Sequence, residues 1–125
     1  SCVREHRSAL AHAAAAVATA LLALSPSALD AEMRSMCLGA SDDTGVAAVA
    51  GLLQYLRFQA AAGSLYEVTQ AHMALALQVH DEVIAEVAHL RDLAAALSAT
   101  QDLGVARLHD MLDAALCMAQ TLLGQ

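Results

Sequence analysis

The chain has no lysine, no asparagine and no tryptophan, a single proline, and aromatic residues at only 2% of its 125 positions. Each shortage excludes something. Without asparagine there is no N-glycosylation acceptor. With 13 acids against 6 arginines the net charge is −7, so a phosphate backbone would be repelled over most of the surface, and bases would find few aromatic faces to stack on. Nucleic acid is therefore not an expected partner. Val, Ile, Thr and aromatic residues are too thinly spread to alternate along strands. Cys2, Cys37 and Cys117 form an odd set without the close pairs a zinc site usually takes from a turn. They read as three reduced thiols behaving as small apolar residues, which leans toward an intracellular setting without fixing a compartment. One disulfide plus a free thiol is the alternative in an oxidising compartment.

What is abundant is alanine, 31 residues of the 125, within a hydrophobic share of 58%. Such a chain favours helices that approach closely, and its length suits one domain with a sizeable core. The missing initiator Met, together with this hydrophobicity, is what a piece of a larger protein would show.

The run HAAAAVATALLALSP, residues 12–26, raises the question of a membrane. Ala13 to Leu24 falls short of the ~20 apolar residues a span needs, so no membrane span is expected. Arg4 and Arg7 ahead of it fit a secretion signal, but the retained segment reads better as a core helix. At 100° per residue Val3, Leu10, Ala14, Val17, Leu21 and Leu24 share one stripe.

Punctuation divides the rest. Ser25-Pro26 starts a short second helix, with Ser27 and Asp30 as an alternative cap. The loop GASDDTG offers Ser41, Asp42 or Asp43 as the cap of a third helix reaching about Ala62. Gly63 stops it, and Ser64 with Glu67 forms a capping box for a fourth. That helix extends from Leu65 to about Leu97, either as one rod or broken near Asp81. The polar stretch SATQD then leads to a last helix ending near Leu123. The fold expected is all-α: one domain over 1–125, an antiparallel bundle of four main helices plus one short helix. Leu65, Met73, Ala76, Leu77, Val83, Ile84, Val87, Leu90 and Ala94 should face its core. So should Val105, Leu108, Leu112, Ala115, Leu116, Ala119 and Leu123 of the last helix.

Two groups of residues carry candidate chemistry. Glu82, Glu86 and His89 lie at i, i+4, i+7, and Glu86-x-x-His89 has the spacing of one ligand pair in di-iron carboxylate bundles. A complete site needs a second such pair, which the chain lacks. His80 sits in the middle of the apolar arc with His72 two turns before it. A buried imidazole needs a hydrogen-bond partner or a ligand, so a small-molecule or metal-binding bundle using His72 and His80 in an internal pocket is the alternative function. No nucleophile elbow, phosphate loop or H-E-x-x-H is present, so no catalytic residue and no cofactor is assigned. The favoured reading is a non-enzymatic interaction or assembly module that binds a protein partner or its own copies. Leu22, Val46, Leu53 and Phe58 are the expected contact residues, because each falls off the main stripe of its helix.

Overall fold

The structure, a computed structural model, describes residues 2–63 and 66–124. Helix α1 spans Cys2–Leu22, α2 Pro26–Ser35, α3 Asp43–Ala62, α4 Tyr66–Val79, α5 Asp81–Glu86 and α6 Ala88–Leu123. No strand occurs among the described residues. The all-α bundle is thus as expected from composition and periodicity. The capping box assigned to Ser64, the core position assigned to Leu65 and the side chain of Cys2 lie outside the described residues. Cys37 and Cys117 are free thiols.

Local chemistry sets several of the boundaries. The Ser25 Oγ accepts from the Ala28 N–H at 3.2 Å and Pro26 occupies the first helical position, so α2 begins where its cap is. Asp42 caps α3: its carboxylate accepts from the Gly45 N–H at 3.1 Å and from the Leu38 N–H at 3.0 Å. These two bonds hold the Asp42 carboxyl below its ordinary value, with the Leu38 bond the larger cause. Gly45 is required by close approach, since a Cβ there would meet the Asp42 carboxylate and come within 2.8 Å of the Cys37 backbone. Gly63, at φ 71°, closes α3 in the left-handed conformation that glycine adopts without a steric penalty.

The fourth helix is broken at His80, next to Asp81, where a break was one of the two expected alternatives, and again at Val87, where none was expected, giving α4, α5 and α6. Neither break has a glycine or proline. Val87 is extended (φ −105°, ψ 114°), a conformation that suits a β-branched residue, and Arg91 Nη1 donates to the Ala85 carbonyl at 2.6 Å across the elbow. Packing rewards the turn: Val83 and Leu90, on either side of it, are both buried. By contrast SATQD, residues 98–102, is no boundary at all. It has neither glycine nor proline, the Thr100 hydroxyl bonds back to the Ala96 carbonyl at 3.0 Å, and α6 continues through it for 36 residues, about 54 Å at 1.5 Å per residue.

The core gathers Met33 from α2, Val49, Leu52, Leu53 and Leu56 from α3, Met73 and Ala76 from α4, Val83 from α5, and Leu90 and Leu97 from α6. Gln70 accepts from Gln101 Nε2 at 2.6 Å, which places the start of α4 against the middle of α6 and makes those two helices antiparallel. The short turn at Gly63 reverses α3 into α4, so α3 and α6 run in the same direction. Helix α1 is an outrigger: Ala14 and Ala18 are buried, while Val3, Leu10, Val17 and Leu24 are 36–63% exposed. Its stripe is therefore only partly covered. Among the described residues no single helix is long and apolar enough to cross a membrane; α1 and α2 pass that test only as a pair bent by 119°.

Candidate protein-docking surface

Helix α6 carries a seven-residue repeat of mainly apolar positions, interrupted at its middle by Gln101 and Gly104. Leu90, Leu97, Gly104, Met111 and Met118 form one series, and Ala94, Gln101, Leu108, Ala115 and Leu122 the other. Alternating steps of four and three are the seam of a helix that lies along another helix. In the first half that partner exists. Leu90 and Leu97 are fully buried and Leu93 and Ala94 half-buried, against α3 and α5.

In the second half the partner is absent from the chain. Helix α3 ends at Gly63, and its last turn, the start of α4 and α6 meet in a notch lined by Gln59, Gly63, Tyr66, Gly104, Leu108 and Met111. Beyond Gly104 every described residue of α6 is exposed. The segment Val105–Leu123 is ~28 Å long; its first turns border the notch at Leu108 and Met111, and the rest extends beyond it. The expectation that Val105, Leu108, Leu112, Ala115, Leu116, Ala119 and Leu123 face the core is thereby overturned; they form the stripe of an arm. Met111, Leu112, Leu116, Met118, Leu122 and Leu123 are 58–87% exposed. Contiguous apolar surface on this scale marks an interaction site more often than a free surface.

The four residues expected to contact a partner are scattered. Leu22 is 52% exposed at the end of α1. Val46 is half-buried against the core, and Phe58 half-buried in a shallow groove that α3 shares with Leu10, Ala14 and Val17 of α1. Leu53 is 1% exposed and belongs to the core. Helix α3 is gripped from two sides, by α4 and α6, so its buried arc is wider than one stripe. A substitution at Leu53 would report on stability rather than docking. The arm does not follow from SATQD taken as a boundary; the absence of proline and glycine from SATQD and the seven-residue spacing that resumes at Leu108 after Gln101 and Gly104 are the signals for one long helix.

The candidate metal and ligand residues do not converge. Glu82, Glu86 and His89 are all exposed, and the extended Val87 separates Glu86 from His89, so the i, i+3 helical geometry on which the pair depended is lost. Among the described residues no group of three His, Cys, Asp or Glu side chains is placed to hold a metal ion. His72 and His80 are buried, but neither lines the notch at Gly63 or the groove beside α1. Among the described residues His80 Nε2 meets no hydrogen-bond partner. Burial lowers the pKa of both histidines below 6.5 and favours the neutral imidazoles.

With an uncovered helical arm as the dominant surface feature, a protein-interaction family is the natural match. Residues 6–122 match the family model described as "Utp21 specific WD40 associated putative domain". The chain belongs to this family. The matched range includes both the bundle and nearly all of the arm, so the arm lies within the family's own domain. No curated protein and no solved structure matches the chain. The description of the Utp21-associated family sets it beside WD40 repeats, and the chain is accordingly a helical protein-interaction or assembly module in a WD40 context.

Proposed function

We propose that the chain is a non-enzymatic assembly module that docks a protein partner through the apolar face of its arm, Val105–Leu123, on behalf of a WD40-containing assembly. One observation carries this reading. The face that buries Leu90 and Leu97 inside the bundle continues onto Leu108 and Met111 at the notch and onto Met118 and Leu122 beyond it, all of them exposed among the described residues. Water-exposed leucine and methionine at this density cost solubility, and covering them supplies the driving force for association. The family description supports an assembly setting, since it places the domain beside WD40 repeats, which build propellers.

The test is size-exclusion chromatography with light scattering on the chain alone and mixed with a purified WD40 propeller of the Utp21 type. The comparison is with Leu112→Asp/Leu116→Asp, whose folding is checked by circular dichroism. Both residues are 58% exposed, so the variant should keep its bundle and lose whichever complex the wild type forms. A complex that persists undiminished in the variant, or a wild type that forms none under either condition, overturns the reading.

A further inference from the structure

We infer that the occupant of the arm is the arm of a second copy of this chain, laid antiparallel across it about Ala115. This rests on the docking role proposed for the arm and names its partner.

Area is the first argument. At exposures of 42–74%, Leu108, Met111, Leu112, Leu116, Met118 and Leu122 present roughly 600–700 Å² of surface, close to the ~800 Å² each partner contributes to a stable interface. A partner of the same size and shape therefore suffices.

The pattern is also self-complementary. Counted from Ala115, apolar residues of the arm fall at symmetric distances: Leu108 and Leu122 seven away, Met111 and Ala119 four, Leu112 and Met118 three. An antiparallel copy thus sets leucine against leucine at the ends, Met111 against Ala119, and Leu112 against Met118. Ala115 would face its own copy at the dyad, where a small side chain lets two backbones approach.

Sterics select the direction. In the first half of α6 this same face is covered by α3 and α5, so a parallel copy would bring two bundles to the same end of the paired helices and against the same side. An antiparallel copy puts the bundles at opposite ends. The tip of each arm, Leu122 and Leu123, then reaches the notch of the other copy, where Leu108 and Met111 lie beside Gly63 and Tyr66. Charge agrees with this. Only Arg107, Asp110 and Asp113 carry fixed charge on the arm, and residues 114–124 carry none, so the charged half of one arm lies along the uncharged half of the other. Most of the −7 sits on the two separated bundles.

Light scattering across a dilution series should give twice the 12.9 kDa chain mass for the wild type at high concentration. Leu112→Asp/Met118→Asp should give the mass of one chain, with a dissociation constant at least 100-fold weaker. Direction is read by oxidative crosslinking in a Cys2→Ser/Cys37→Ser/Cys117→Ser background, which leaves the seam intact. Ala115→Cys should crosslink to itself. Leu108→Cys and Leu122→Cys should crosslink when mixed and not alone. Self-crosslinking of both end variants with no mixed product would mean parallel arms and overturn the inference. A wild type that stays at one chain's mass throughout also overturns it. If that single chain still binds a propeller through the arm, the docking role stands without the second copy; if no complex depends on the arm, both fall.

Discussion

The two halves of α6 share one helix, one seven-residue repeat and nearly the same composition, yet Leu97 is wholly buried while Leu116 is 58% exposed. The difference is made by neighbours. Helix α3 has 20 residues and α4 has 14, against 36 in α6, so once α3 and α4 end at the Gly63 turn, about half of α6 has nothing to lie against. The first half is the wall of a core. The second has the chemistry of a core wall and the surroundings of a surface, and that mismatch points to assembly.

The contrast can be broken most sharply by paired truncations. Leu97→Ala, in the core, should lower unfolding stability by ~2–5 kcal/mol through lost burial and a residual cavity, read as a shift in the urea midpoint. A cost near zero would mean that the first half is no better packed than the arm. The next contrast is in pH. His72 and His80 belong to the bundle, and burial lowers both below the 6.5 of an exposed imidazole. Between 6.5 and the lowered folded values, the unfolded chain binds protons that the folded chain refuses, so stability falls as pH drops through that window and is insensitive above it. Urea midpoints at pH 7.5 and 5.5 should show this loss, and His80→Leu should reduce it. An unchanged midpoint contradicts the burial.

At the junction of the halves, Gly104→Ala should stabilise the helix by ~0.5–1 kcal/mol, because an alanine there relieves glycine's entropic cost and its Cβ meets nothing within 4 Å. Helicity by circular dichroism should hold or rise. Smallest of all, Leu116→Ala should change the stability of a single chain by no more than ~0.5 kcal/mol. A loss comparable to that of Leu97→Ala would show that the arm folds back onto its own bundle.

Much of this fold could be read from residues alone. The start of α2 follows from Ser25-Pro26, that of α3 from the trio Ser41, Asp42 and Asp43, of which Asp42 is the cap, and its stop from Gly63, because each is a local transaction between one side chain or one φ angle and the backbone beside it. The breaks at His80 and Val87 were not fully legible, since they are fixed by what Val83 and Leu90 bury against rather than by a breaker. The arm was half legible. Its apolar character follows from the sequence, but the expected stripe leaves out Met111, Met118 and Leu122, and periodicity says only that a face wants covering. Whether Leu112 and Met118 meet α3, solvent or another chain depends on where the other helices end. For the same reason Glu86 and His89 kept the spacing of a ligand pair in sequence and lost it at the extended Val87.

Hydrogen–deuterium exchange resolved along α6, at a dilution where light scattering gives one chain's mass, tests the central claim most directly. Amides of residues 90–101 should be strongly protected and those of 105–123 should exchange orders of magnitude faster, with protection of the arm appearing as concentration rises. Equal protection of both halves in the single chain would contradict the account, because it would mean that the chain covers its own arm.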